Sequence, residues 1–301
     1  MQPRPLTAVI FGAKGQDGQY LAKLLESKSV PVIRAARSSG TAFQGDVADF
    51  GFVSDLVRKS LPSHVFHFAA DSTTRHDALF ANHDAVSTGT LNILESVRLY
   101  APWSRVFLCG SALQFSNDGR PINEGNQFEA GSAYAVARIQ SAYAARYFRS
   151  TFGIRAYLGY LFNHDSPLRS ERHVNQKVVQ SCLRIAAGNS EKLKLENLDF
   201  RKEFNHASDI VEAIWMLVNQ DVIMEAVIGS GKAYSIRNWV EICFSIVGLD
   251  WRRFVDVGLS ASLAPNPLVS DPKVIMGLGW FPKHTIQTLA LDMMRAVENI
   301  L

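Results

Sequence analysis

TAVIFGAKGQDGQYLAKLL, Thr7 to Leu25, decides the fold, because it fits a strand, a tight glycine turn and a helix into fewer than twenty residues. Thr7 to Phe11 is a short apolar, partly β-branched run, and Tyr20, Leu21, Leu24 and Leu25 recur at helical spacing. Between them Gly12, Gly15 and Gly18 form a GxxGxxG. In a dinucleotide site one glycine makes the turn, one lets backbone N–H groups approach a pyrophosphate, and one lets helix and strand pack closely. The strand before and the helix after supply the context that three glycines alone lack.

The chain continues in the same alternation. Val30 to Ala36 is expected to be a second strand, with Arg34 and Arg37 at its end and no carboxylate nearby. Arginines there suit a 2′-phosphate, whereas an NAD site would place an acid on the ribose, so NADP(H) is expected. In FQGDVAD, Phe43 to Asp49, Asp46 is placed to accept from an adenine amino group or to cap a helix. VFHFAA, Val65 to Ala70, has the pattern of a buried strand, and Ala69 and Ala70 are small enough for a nicotinamide half to lie against them. His64 and His67, three apart on that strand, point to opposite faces and do not form a metal pair. Phe80 to Tyr100 has helical spacing, and Arg105 to Cys109 is another apolar strand. The expected fold is α/β, a doubly wound parallel sheet of Rossmann type with ligands at the carboxyl ends of its strands.

Composition limits the alternatives. The 301 residues are 47% hydrophobic and 20% charged, enough for one large or two modest domains. A formal charge of +3 without long Lys/Arg runs argues against nucleic acid. No segment offers the roughly 20 apolar residues of a membrane helix, and the start has no signal-peptide pattern. Cys109, Cys182 and Cys243 are far apart without CxxC spacing, which suits free thiols in a reducing cytoplasm.

At the end of the Arg105 strand sit Gly110, Ser111, Ala112 and Leu113, and about two dozen residues later Tyr134 opens a long helix, followed by Arg138. Ser111 and Tyr134 could meet at one reacting oxygen, the tyrosine as proton donor and the serine steadying the same atom. The order GxxGxxG, GD, FAA, a serine after a strand, then YxxxR resembles the extended short-chain dehydrogenases/reductases. GQDG, LFNHDSP at Leu161 to Pro167, ENLDFRKEFNHASDIVEAIW at Glu196 to Trp215 and GLGWFPK at Gly277 to Lys283 resemble the GDP-mannose 4,6-dehydratase branch. The resemblance implies Gly12, Gly15, Gly18, Arg37 and Asp46 as cofactor contacts and Ser111 and Tyr134 as catalytic. It also implies Asn163 near a sugar diphosphate and Lys177 where a basic residue reaches that diphosphate.

The departures bear on the reaction. The dehydratases' proton-abstracting glutamate, two positions after the Ser/Thr, is Leu113, and the lysine that contacts nicotinamide ribose and tunes the tyrosine is Arg138. Arginine keeps the charge but is longer, planar and differently hydrogen-bonded. The proline expected before the tyrosine is Ala133, and the usual RD is replaced in Lys202, Glu203, Phe204.

Residues 1–160, with about 207–228 returning to the sheet, are expected to form the cofactor domain. About 161–206 and 229–301 are expected to form a smaller C-terminal nucleotide-sugar lobe, with Arg169, Lys177, Lys202 and Arg237 available to a diphosphate. Three functions fit: an NADP-dependent keto-sugar oxidoreductase with Tyr134 as acid, a dehydratase with its base moved to a carboxylate such as Asp71 or Glu124, or a non-catalytic sugar-nucleotide-binding paralogue. Alanines at 135, 137, 142, 144 and 145, with the helix from Phe80, suggest a helix-paired homodimer or a tetramer built from it.

Overall fold

Two unlike halves alternate along the chain, which the computed structural model describes for residues 6–258 and 266–298. β1 (Ala8–Phe11) leads into α1 (Gln16–Ser27), β2 (Val32–Ala36), a short β3 (Phe43–Gln44), α2 (Phe50–Ser60) and β4 (His64–His67). Next, α3 (Leu79–Asn82) runs through a π turn at His83–Thr88 into α4 (Gly89–Tyr100). β5 (Arg105–Ser111), α5 (Ala133–Phe152) and β6 (Arg155–Leu161) complete this stretch. The chain then leaves the sheet through β7 (His164–Asp165), α6 (Val174–Ala186), β8 (Leu193–Leu195), β9 (Arg201–Glu203) and β10 (Asn205–His206). It returns with α7 (Ala207–Val218) and β11 (Glu225–Ile228), and closes with β12 (Ala233–Ser235), α8 (Ile236–Ile246), β13 (Val255–Val257), α9 (Lys273–Gly277) and α10 (Ile286–Glu298).

The seven-stranded sheet has the order β11-β6-β5-β4-β1-β2-β3, and every neighbouring pair is parallel. Strand order reverses beside β1, which opens a crevice at the carboxyl ends of β1 and β4, where a doubly wound sheet binds its ligand. Both faces of the sheet are covered. Val9 and Phe11 pack with Ile93, Leu94, Ala142 and Ala145 on one side, and Ala8 and Ile10 with Leu21, Leu25, Ile214 and Leu217 on the other, as the two-residue period of a strand requires. A third core, around Val178, Cys182, Trp239, Phe244, Leu289 and Met293, belongs to the smaller lobe.

Some expectations change. The helix expected from Phe80 to Tyr100 is interrupted by the π turn, and its first part is short. Ala135, Ala142 and Ala145 are buried against the rest of their own chain, so these small residues serve close packing within the subunit, while Tyr143 and Tyr147 form the exposed side of α5. Ile275 and Trp280 pack with the core beneath the seven-stranded sheet, and Trp280 Nε1 donates to the Asp209 carbonyl at 2.9 Å. Part of the 229–301 stretch therefore rests on the larger domain. Glu203, where an aspartate of an RD pair was expected, is fully buried and accepts from Ser270 N and Oγ, each at 2.6 Å, and from Ser230 N at 2.6 Å. Its carboxylate ties β9 to two neighbouring loops. Cys109, Cys182 and Cys243 are free and buried, and among the described residues no helix is long and apolar enough to cross a membrane.

Candidate functional site

The glycine turn is shaped for close approach. Gly12 has φ +82°, and a Cβ there would lie 2.5 Å from Ala69 N, while one on Gly18 would lie 2.5 Å from Gly12 O. Gly15 begins α1 with no side-chain cap, so the first N–H groups of the helix keep their capacity for an anion. A cavity of about 230 Å³ opens beside this turn, lined by Gly12, Gly15, Arg37, Asp46, Ala69 and Ala70. Asp46 Oδ1 accepts from Ala48 N at 3.0 Å, and the cap of α2 is Asp49, not Asp46. Arg37 is exposed and 3.8 Å from Asp46. Lys14 also lines this cavity, and its signal in the sequence is a cation inside the glycine turn.

Arg34 departs from its expected place. It stands level with Ile10 on β2, one residue out of phase with Ala35, so strand alternation turns it to the α1 side, where it pairs with Glu26 at 2.6 Å. It lines a separate recess with Gln19, Thr41 and Phe43. Of the two arginines, only Arg37 borders the cavity beside the glycine turn.

A second cavity, of about 290 Å³, shares Gly15 and Ala70 with the first and brings Ser111, Tyr134, Arg138, Asn163 and Arg169 onto one wall system. Ser111 closes β5 as the cap of a short 3₁₀ turn: its Oγ accepts from Leu113 N at 3.2 Å, and its N–H donates to Gln114 Oε1 at 2.9 Å. With an acceptor position occupied, the hydroxyl proton stays available to a ligand oxygen. Tyr134 lies in the first turn of α5, which Ser132 caps by accepting from Ala135 N at 3.1 Å. Arg138 follows one turn later on the same face. It is buried, donates through Nη1 to the Cys109 carbonyl, and holds its guanidinium carbon 4.9 Å from the Tyr134 ring centroid. Burial opposes its charge, but Tyr134 and Cys109 outweigh burial and its pKa is raised. Burial pushes the Cys109 thiol up to about 12. Leu113 is 45% exposed and lines the same cavity without a proton-accepting atom.

The lobe supplies the far side. Lys177 and Lys202 border a third cavity, of about 860 Å³, together with Arg172, Glu196 and Asp256. Lys202 is buried with its ammonium 5.1 Å from the Phe204 ring, and desolvation lowers its pKa against the pull of Asp165. Arg237 pairs with Asp199 at 2.9 Å and lines none of these cavities. Three further titratable side chains line the cavity that holds Ser111 and Tyr134: Asp17, His164 and His173. Asp17 was visible as the unusual acid in GQDG, whereas His173 sits in irregular sequence with no local signal. Of the carboxylates expected as displaced bases, Glu124 is engaged by Val227 N at 2.7 Å and Asp71 borders the cavity beside the glycine turn. Among the described residues no cluster of His, Cys, Asp and Glu is arranged to hold a metal.

A doubly wound sheet with an uncapped glycine-turn helix, and a serine and tyrosine converging at the end of its fifth strand, defines an extended short-chain dehydrogenase/reductase of the sugar-nucleotide dehydratase/epimerase type. The sequence profile of GDP-mannose 4,6 dehydratase matches residues 9–293, and the chain belongs to that family. It is 29% identical over 329 residues to GDP-mannose 4,6-dehydratase sdnI of Sordaria araneosa, covering 96% of this chain and 60% of that longer protein. It is 28% identical over 337 residues to GDP-mannose 4,6-dehydratase of Sinorhizobium fredii, covering 96% of this chain and 95% of that one. The fold is also that of RMD from Pseudomonas aeruginosa, solved with NADPH, at a TM-score of 0.87 and 18% identity over 98% of this chain and all of that one.

Proposed function

We propose that the protein is an NADP(H)-dependent oxidoreductase of a nucleotide-linked, specifically GDP-linked, keto-sugar. The observation that carries this reading is one cavity holding Ser111, Tyr134 and Arg138 while Leu113 occupies the wall position from which a dehydratase would remove a proton. The cavity beside the glycine turn fits the adenosine side of a dinucleotide: the turn would be filled by a Cβ on Gly12, the α1 N-terminus lacks a side-chain cap, and Arg37 and Lys14 are the cations beside it. When bound, the nicotinamide supplies or accepts the hydride. Tyr134 gives a proton to the ketone oxygen, Ser111 donates a hydrogen bond to the same oxygen, and Arg138 places its positive charge beside the tyrosine ring. Asn163 and Arg169 hold the sugar end, and Lys177 and Lys202 the nucleotide diphosphate end. The solved neighbour carrying NADPH and the curated GDP-mannose dehydratases support the cofactor and the substrate class.

The test is incubation of the purified protein with NADPH and a GDP-linked 4-keto-6-deoxy sugar, following nicotinamide oxidation. Reduction that Tyr134→Phe abolishes is expected. A protein that binds both ligands yet oxidises no NADPH would overturn the reading and favour a non-catalytic paralogue.

A further inference from the structure

Replacing the family's glutamate by Leu113 leaves open which group in the cavity could still take a proton from carbon. Each titratable neighbour can be weighed by its partners. Asp17 is committed to His164 at 2.9 Å and held down to about 2, so it is a weak base at neutral pH. His164 has both ring nitrogens engaged, Nε2 on the Asp17 carboxylate and Nδ1 on the Phe162 carbonyl at 2.8 Å. Both partners can only accept, so His164 is a doubly protonated donor with no lone pair to offer. Cys109 is a thiol by virtue of its burial, and Arg138 is a cation.

His173 differs from all of these. It lines the cavity immediately before α6, and among the described residues its imidazole makes no hydrogen bond. Three charged groups face it: Arg169 from the preceding loop, Asp165 from β7 and Lys202 from β9. Burial is the largest influence on it, Arg169 and Lys202 act with burial, and Asp165 acts against them, so the ring is neutral at physiological pH with a free nitrogen lone pair. Its chain neighbour Arg172 lines the 860 Å³ lobe cavity. Consecutive residues therefore border the two cavities that a nucleotide sugar would occupy with its sugar and its nucleotide.

We propose that His173 is a second proton-transfer residue of this site, a base that removes hydrogen from the ring carbon next to the ketone of the bound keto-sugar. The inference rests on the keto-sugar reading above. The C–H electron pair becomes the carbon–carbon double bond of an enolate, the carbonyl π pair moves to oxygen, and the hydroxyls of Ser111 and Tyr134 stabilise that oxygen. Return of a proton from His173 to the same carbon restores the ketone, so the step exchanges that hydrogen with solvent and consumes no oxidant or reductant.

The experiment uses the full chain with NADP⁺, so that reduction cannot compete, and the GDP-linked 4-keto-6-deoxy sugar in deuterium oxide, with incorporation read by mass spectrometry. Native protein should incorporate deuterium at the carbon beside the ketone, with a rate that falls on acidification as His173 is protonated. His173→Asn, which puts a good helix-capping side chain where the imidazole makes no cap, should lower that rate by ~10²- to 10⁴-fold, the usual contribution of a general base. It should also lose the acid limb of the pH profile, while unchanged NADPH binding shows that the fold is intact. His173→Gln provides a second variant. Exchange that persists in both variants overturns the proposal, as does a native protein that shows none. Exchange that depends on His173 in a protein unable to oxidise NADPH upholds the proposal and removes the reductase reading, so the two failures are distinguishable.

Discussion

Asp17 and His164, 147 residues apart in the chain, meet with Oδ1 and Nε2 at 2.9 Å. The contact joins the first turn of α1 to β7, and beside it Gln16 Oε1 accepts from Ser166 Oγ at 2.7 Å. The larger, doubly wound domain is thereby fastened to the start of the smaller lobe at the rim of the cavity that holds Ser111 and Tyr134.

That pair predicts a pH window. Burial would raise the Asp17 pKa, but His164 and Arg169 bring it from 3.8 down to about 2, so its contribution is present above pH 3.8 and lost as pH falls towards 2. Burial would lower His164, but Asp17 raises it above 6.5, so its contribution is present below pH 6.5 and lost as pH climbs through the raised value. The pair should therefore stabilise most between pH 3.8 and 6.5. Breaking a fully buried pair costs about 3–5 kcal/mol, and Asp17 keeps a fifth of its side chain exposed, so His164→Gln should cost nearer ~2 kcal/mol. Thermal unfolding of native and variant protein across this range checks it; a Tm difference that grows above the window would contradict the pairing.

Cofactor choice follows from Arg37 and Lys14. NADPH should bind more tightly than NADH by ~1.5 to 3 kcal/mol, the scale of a charge-assisted contact. Arg37→Ala should erase most of that difference, whereas Arg34→Ala should leave it, because Arg34 is spent on Glu26. Titration of the three proteins with both cofactors decides between them, and equal affinities in the native protein would remove Arg37 from the 2′-phosphate.

Assembly should use the outer faces of α4 and α5. Leu91 is 50% exposed, Tyr143 60% and Tyr147 54%, a large apolar surface for helices whose inner faces are already packed. We expect a two-fold homodimer, or a tetramer built from it, through these helices. Light scattering at micromolar concentration tests this, and Tyr143→Asp with Tyr147→Asp should give monomers.

Much of this arrangement was legible because it is local. Gly12, Gly15 and Gly18 sit between a strand and a helix in one short stretch, and Ser111 and Tyr134 each follow a recognisable strand end or helix start. What was hidden depends on partners far along the chain. Arg34 and Arg37 look alike until β2 is set in register with β1, and that register alone turns Arg34 away. The α5 alanines could serve a neighbouring subunit or the chain's own core, and only the packing chooses. The π turn leaves an almost helical apolar spacing, so no periodicity signals it. His173 acquires its setting from Asp165 and Lys202, which the lobe brings to it.

The reaction itself turns on Leu113 and Arg138. Leu113 is half exposed on the cavity wall, so a glutamate in its place would reach the cavity without disturbing the core. Arg138 fills a buried slot, giving Nη1 to the Cys109 carbonyl and leaving Nε without an acceptor. A lysine there would be shorter, with one mobile ammonium free to turn towards tyrosine or ribose. The native protein should convert GDP-mannose to its 4-keto-6-deoxy product slowly or not at all, since a missing general base costs ~10²- to 10⁴-fold. Leu113→Glu combined with Arg138→Lys should raise that conversion, and adding Tyr134→Phe should abolish it again. Product analysis by mass spectrometry after incubation with NADP⁺ follows all of these. If the unmodified protein dehydrates GDP-mannose rapidly, the base already stands in the cavity, and loss of that activity in His173→Asn would identify the imidazole as the group that took over from the missing carboxylate.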